Sequence, residues 1–309
     1  MAELETVAAE AAGQAGRLLA GRFGSPLQIE YKDDRETDPA TDADLDSQKL
    51  IAQVVASRFP QHAIVGEEDS DGDAKGPVSD FVWVVDPLDG TKNFLSDLPV
   101  YASSVGVLYR GVPVAGAIHV PWPAMPDGVV FTAHRGGGAF RNDERLSVFQ
   151  GEQPKPGLLT ALPGMFPGAF TADADVRMKL GEVRNLGSIA YDMVLTAEGT
   201  YQFSMTSSAR IWDVAAGVVI VQEAGGVAVA AGDFPRRGLL RSRAVGWQPL
   251  ESFAADWEPG EPSMERLRKW SLPVVLGNAS IVRFVTSGLR RRSRLARRLS
   301  VSVRMGRRR

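Results

Sequence analysis

The chain has 309 residues, 44% hydrophobic and 23% charged, a globular composition that excludes global disorder, collagen and coiled coil. Cysteine is absent and histidine occurs three times, which excludes disulfides, thiolate zinc sites and cysteine nucleophiles and disfavours a His-rich metal centre. The net charge of −2 hides a split: residues 290–309 hold ten arginines and no acid, so residues 1–289 carry twelve excess negative charges and should attract cations.

Leu4, Val7, Ala8, Ala11, Ala15, Leu18 and Leu19 recur at three- and four-residue steps and predict a first helix, stopped by Gly24-Ser25-Pro26. Met1 to Phe23 has no basic n-region and no unbroken apolar stretch, so no signal peptide is read and a cytoplasmic protein is expected. A polar loop, Lys32 to Asp42, precedes a second helix from about Asp44 to Arg58. Ala63-Ile64-Val65 reads as a short strand, and Phe81 to Val85 as a strand buried on both faces. Ser103 to Tyr109 and Val112 to Val120 flank Arg110-Gly111 as a hairpin, and Val129 to Ala133 and the turn Gly136-Gly137-Gly138 continue the sheet. The second half alternates: strand Leu158 to Leu162, helix Ile189 to Ala197, strand Thr200 to Met205, buried helix Val214 to Ala224, strand Val227 to Ala230, strand Leu272 to Leu276 and helix Ser280 to Leu289. Asp233 to Trp270 shows no period and reads as an irregular insertion. Three regions result: 1–150, 151–289 with the insertion 233–270, and a basic tail, 290–309, read as a solvated, disordered extension.

The informative run is Trp83 to Phe94, Trp-Val-Val-Asp-Pro-Leu-Asp-Gly-Thr-Lys-Asn-Phe. A buried strand delivers Asp86 at its C-terminal end, and Pro87 turns the chain. Asp89 follows three residues on, so both carboxylates can face one point. Two such groups repel unless a cation or proton joins them, and hard oxygen ligands select Mg²⁺ or a similar ion. Glu67-Glu68 and Asp44 add acids at element ends, and Trp212-Asp213 opens a helix. Free N–H groups after Gly90 suit a phosphate, so the parts describe a multi-metal phosphate site.

Asp86-Pro87-Leu88-Asp89-Gly90-Thr91 resembles the first signature of the inositol monophosphatase family, Mg²⁺-dependent and lithium-sensitive phosphatases. Trp212-Asp213-Val214-Ala215-Ala216-Gly217, followed by Glu223-Ala224-Gly225-Gly226, resembles the second. Gly66-Glu67-Glu68, Asp38-Pro39-Ala40-Thr41-Asp42-Ala43-Asp44 and Gly187-Ser188-Ile189-Ala190 are similar to three further family motifs. The resemblance implies a five-layer αβαβα sandwich, as in inositol monophosphatase and fructose-1,6-bisphosphatase, with the site between its halves. It further implies that Glu67, Asp86 and the Leu88 carbonyl hold one Mg²⁺, that Asp86, Asp89 and Asp213 hold a second, and that Glu67 holds a third through water. Asp44 and Thr91, with Glu67 close by, would be catalytic by orienting the attacking water. Asp89, Gly90, Thr91, Gly187, Ser188, Ile189 and Asp213 would line the substrate. A homodimer is the family default.

The resemblance implies a phosphomonoesterase for a small polyol phosphate, with inositol monophosphate foremost. Histidinol-phosphatase and 3′(2′),5′-bisphosphate nucleotidase are alternatives within the same group. A metabolite- or metal-sensing protein without catalysis is the alternative of another class. Some inositol-specific members place Glu seven residues before the second-signature Asp, where this chain has Thr206. Arg210 on the same rim is a candidate for binding a second anionic group. The basic tail suits an anionic membrane or nucleic acid.

Overall fold

The computed structural model describes residues 1–69, 78–164, 166–232 and 243–292. Helix α1 (Ala2–Arg22) leads through strands β1 (Ile29–Tyr31) and β2 (Pro39–Thr41), which pair antiparallel, into α2 (Asp42–Arg58). Then come β3 (Ala63–Gly66), β4 (Phe81–Asp89), the one-turn α3 (Thr91–Phe94), β5 (Ala102–Tyr109), β6 (Val112–Trp122), β7 (Met125–His134), β8 (Gly138–Arg141) and β9 (Glu144–Arg145). Strands β3 to β9 form one seven-stranded sheet in sequence order, parallel between β3 and β4 and antiparallel elsewhere.

The second half holds β10 (Leu159–Ala161), α4 (Phe166–Ala169), β11 (Phe170–Ala172), α5 (Ala174–Lys179), β12 (Glu182–Arg184), α6 (Ile189–Ala197), β13 (Phe203–Arg210), α7 (Ile211–Glu223) and β14 (Val227–Ala231). It continues with β15 (Arg243–Ala244), β16 (Trp247–Pro249), α8 (Glu261–Lys269), β17 (Ser271–Gly277), α9 (Ala279–Gly288) and β18 (Leu289–Arg291). A six-stranded sheet runs β12-β10-β13-β17-β14-β16, and β11-β18-β15 form a small third sheet.

Period-two alternation explains the layers. Trp83 and Val85 of β4 pack with Leu4, Val7, Ala8 and Ala11 of α1 and Ile51 and Val55 of α2. Val82 and Val84 face the other way, into a core shared with α6 and α7. Val274 and Leu276 of β17 close that core from the far side, while Val275 turns outward to Ile281, Val282 and Val285 of α9. The result is the αβαβα sandwich. Helix α7 is buried all round because it lies between two sheets. Its approach requires glycine opposite: a Cβ on Gly116 would lie 2.7 Å from Ala216 Cα.

Several boundaries differ from the sequence reading. The insertion is not irregular throughout: it supplies β15, β16 and α8, while 233–242 lie outside the described residues. Trp257 Nε1 donates to Asp80 Oδ1 at 3.1 Å and Phe253 N to Gly111 O at 2.8 Å, so the insertion folds back onto the first sheet. The basic segment does not begin at 290 as a free extension. Arg290 and Arg291 lie in β18, and Arg292 N donates to Ala169 O at 2.9 Å. Residues 293–309 lie outside the described residues. Strand β13 covers Phe203–Arg210 rather than Thr200 to Met205. Among the described residues no helix is long and apolar enough to cross a membrane.

Candidate functional site

Strand β4 carries Asp86 and Asp89 on either side of an irregularity in its pairing with β5, where Pro87 and Leu88 interrupt the register. Leu88 N donates to Asp86 Oδ1 at 3.2 Å. Gly90 follows at φ +93°, and a Cβ there would meet Val100 O at 3.0 Å and Ser188 Cβ at 3.2 Å, so both conformation and space call for glycine. The turn rests on an aromatic bed of Phe23, Phe94 and Tyr101, with Phe94 and Tyr101 edge to face at 4.9 Å.

Asp44 sits in the first turn of α2, where it forms a reciprocal capping box with Thr41. Its Oδ2 accepts from Thr41 N at 2.9 Å and from the Thr41 hydroxyl, and its Oδ1 lies 3.2 Å from Thr91 Oγ1. Thr91 Oγ1 is also 3.0 Å from Leu88 O. One hydroxyl hydrogen serves two acceptors there, and the oxygen keeps its lone pairs. Asp213, in the first turn of α7, accepts from Arg210 N at 2.7 Å. Asp89 Oδ2 accepts from Ser188 Oγ at 2.8 Å and from Ala190 N, which brings the 187–190 turn of the second half against β4. Gly187 stands at φ +81°, and Ile189 is half-buried.

These carboxylates are electrostatically crowded. Asp86 is raised well above the usual carboxylate range by burial first, then by the charges of Glu67, Asp89 and Asp213. Asp213 is raised likewise by burial and by Asp89. Burial pushes Asp89 up to about 7, although Ser188 and Ala190 oppose it. Asp44 reaches about 6, burial outweighing the Thr41 hydrogen bonds. Like charges held close together and largely out of water call for a cation, and an all-oxygen donor set fits Mg²⁺. Among the described residues, however, no group of three acidic or imidazole side chains is drawn together to hold a metal as it stands. The donors Ser188, Ala190, Arg210 and Lys32 engage the carboxylates instead.

Lys32 was not singled out in the sequence. Its Nζ lies 3.0 Å from Glu67 Oε1 and 2.7 Å from Glu68 Oε1. Burial works to lower its pKa, but the two glutamates prevail and it is raised. Burial pushes Glu68 up to about 7 against the pull of Lys32. The legible signal was a lysine at the head of an acid-rich loop. Asp192, one turn into α6, was also missed; burial, then Asp89, push it up to about 8. Asn93 was quoted only as part of a motif, yet it bonds both halves.

The remaining motifs serve structure. Gly136-Gly137-Gly138 is a hairpin turn, and Glu223 accepts from Gly136 N and Gly138 N at 2.9 Å each, filling that anion-suited turn with a resident carboxylate. His62 Nδ1 accepts from Trp83 Nε1 at 3.1 Å, His119 binds Asp127 O at 2.7 Å, and His134 pairs with Glu5.

The sequence profile of the inositol monophosphatase family matches residues 1–252. The fructose-1,6-bisphosphatase/inositol-1-monophosphatase of Aquifex aeolicus is 32% identical over 239 residues, covering 75% of this chain and 86% of that protein. The inositol-1-monophosphatase of Mesorhizobium japonicum is 33% identical over 228 residues, covering 72% of this chain and 84% of its own. Among solved structures, the extragenic suppressor protein SuhB of Bartonella henselae superposes with a TM-score of 0.68 at 26% identity, covering 92% of this chain and 96% of that one.

Proposed function

From the premise that this chain belongs to the inositol monophosphatase family, and so to the phosphoric monoester hydrolases, we propose that it hydrolyses a small polyol phosphate, inositol monophosphate first, with Mg²⁺ in the site. The observation that carries this reading is the mutual repulsion of buried Asp86 and Asp89 and half-buried Asp213, beside the Asp44–Thr91 pair. Glu67, Asp86 and the Leu88 carbonyl would hold one ion, and Asp86, Asp89 and Asp213 a second. A third would sit at Glu67 through water. When bound, Mg²⁺ acidifies water and neutralises phosphate charge.

The chain's own residues then do the following. Thr91 Oγ1 accepts a hydrogen bond from the attacking water and passes its own proton toward Asp44 Oδ1 at 3.2 Å. Asp44, buried and oriented by its hydrogen bonds from Thr41, supplies the acceptor that draws that proton. N–H groups of Gly90 and Thr91 cradle the phosphate oxygens. The Gly187–Ile189 turn and Asp89 line the alcohol side. The water oxygen bonds phosphorus as the bond to the leaving alcohol oxygen breaks, and that oxygen takes a proton from solvent. No covalent enzyme intermediate forms.

A second reading concerns the substrate. Where some inositol-specific relatives place Glu, the Thr206 hydroxyl accepts from Val274 N at 3.2 Å and is committed to β17. Arg210 is exposed beside Asp213 and forms no ion pair within 4 Å among the described residues. That favours a phosphomonoester with a second anionic group.

The test is phosphate release with and without Mg²⁺ from inositol 1-phosphate, histidinol phosphate, fructose 1,6-bisphosphate and 3′-phosphoadenosine 5′-phosphate. Mg²⁺-dependent release from one far above the others names the branch. Silence across the panel with metal binding intact moves weight to an unlisted phosphoester or to a sensing role. Near-normal turnover by a folded Asp86→Asn variant would sink the assignment.

A further inference from the structure

One side chain that the proposed chemistry leaves unused ties the two halves of the site together. Asn93 lies in α3, three residues past Gly90, and its Nδ2 donates to Val100 O at 2.7 Å and to Leu186 O at 2.7 Å. An amide nitrogen has two hydrogens, so both are spent. Val100 leads into β5 of the first sheet, whereas Leu186 leads out of β12 of the second. Gly187, next in the chain, packs so closely that a Cβ there would lie 3.1 Å from Asn93 Oδ1. One residue further, Ser188 Oγ donates to Asp89 Oδ2 at 2.8 Å, and Ala190 N donates to the same oxygen. Ser188 Oγ also accepts from Tyr191 N at 3.2 Å, which caps α6. Two sets of bonds thus join the 186–190 turn to the Asp89–Asn93 turn: the Asn93 strap and the Ser188–Ala190 grip.

We infer that Asn93 is a positioning residue that couples the substrate turn to the carboxylate of Asp89. Held by the strap, the 188–190 backbone and hydroxyl stay on Asp89 Oδ2 and fix how that carboxylate presents itself. Without it, Gly187 is free to carry the turn away from Asn93 and loosen both partners. Affinity for phosphate and affinity for Mg²⁺ therefore both depend on the strap. The inference rests on the reading of Asp89 as a Mg²⁺ ligand.

The experiment is isothermal titration of the full-length chain with Mg²⁺, and then with inorganic phosphate at saturating Mg²⁺, for wild type, Asn93→Ala, Asn93→Asp, Ser188→Ala and the Asn93→Ala/Ser188→Ala double variant. Loss of an outer-shell partner typically weakens metal binding about tenfold. Asn93→Ala is expected to raise the Kd for Mg²⁺ and for phosphate by about that factor. Asn93→Asp, equal in size but without the donors, should do no better. The double variant should fall well short of the product of the single effects, because both act on one turn. Folded Asn93→Ala protein binding both ligands within twofold of wild type overturns the inference, as do multiplicative effects in the double variant. Should Asn93→Ala fail to fold, Ser188→Ala carries the test: it must weaken Mg²⁺ and phosphate together, and weakening of one alone overturns the coupling. Absence of Mg²⁺ binding by wild type refutes the reading of the site instead, so the two failures are distinguishable.

Discussion

Asp89→Asn should cost Mg²⁺-dependent activity and, in the metal-free protein, increase stability. Asp89 is buried, and burial takes its pKa from 3.8 to about 7. A raised folded-state pKa means the fold prefers the protonated acid. The penalty is absent below about pH 4, grows as pH rises, and is complete above about 7. At about 1.4 kcal/mol per unit, it amounts to on the order of 4 kcal/mol above pH 7 and less than half of that at pH 5. Asparagine keeps the size, and its oxygen still accepts from Ser188 Oγ and Ala190 N. In EDTA at pH 8 the variant should melt roughly 5–10 °C above wild type. That margin should shrink toward zero near pH 4. Saturating Mg²⁺ should close it, because only wild type gains fully from binding. Phosphate release should fall by about a hundredfold or more. Differential scanning calorimetry across pH, with and without Mg²⁺, reads all of this. A variant melting no higher than wild type at pH 8 in EDTA would refute the account of crowded charge.

Gly16→Ala places a Cβ 2.0 Å from His119 Nδ1 and must lift α1 from the sheet, a loss of about 1–3 kcal/mol by urea denaturation. Gly21→Ala, on the same helix with nothing within 4 Å, should instead gain about 0.5–1 kcal/mol; equal effects would remove the packing argument. His119 is held below its usual pKa by burial, so its contribution is full above pH 6.5 and is lost as pH falls. The melting-temperature gap between wild type and His119→Gln should therefore narrow from pH 7 to pH 5, and a constant gap would exclude burial as the cause. Arg210→Gln should raise KM for fructose 1,6-bisphosphate about two- to fivefold relative to inositol 1-phosphate; equal change for both would mean that Arg210 only screens Asp213. Deleting residues 293–309, which spares β18, should abolish any salt-sensitive binding to RNA or anionic vesicles while melting and turnover hold; no binding by the full-length chain would reject the idea.

What was readable in the sequence follows from burial. β4 is a continuous apolar run ending in Asp86, and the structure builds it as such because both its faces meet cores. α7 was legible for the same reason. β1 and β12 were not, because all three residues of each are exposed and no alternation exists to read. α8 escaped because only Met264 and Leu267 among its described apolar side chains are buried, too few to mark a period. In the site, residues within a contiguous run were found, whereas Lys32, Asp192 and the role of Asn93 depend on partners 35, 103 and 93 positions away. Spacing along a chain carries no information on such pairings.

The burial of α7 between two sheets also governs the order of assembly. Its first turn carries Asp213, whereas Asp86 and Asp89 end a strand of the first sheet. During synthesis that sheet emerges with Val82, Val84, Ile118 and Phe131 uncovered on its inner face, and they wait for residues 189–224 to cap them. A nascent chain thus keeps an apolar face uncovered until α7 has emerged, and Asp213 joins Asp86 and Asp89 only when α7 has docked. If the site takes Mg²⁺ as proposed, ion uptake by a refolding chain would report completion of the sandwich rather than formation of either half.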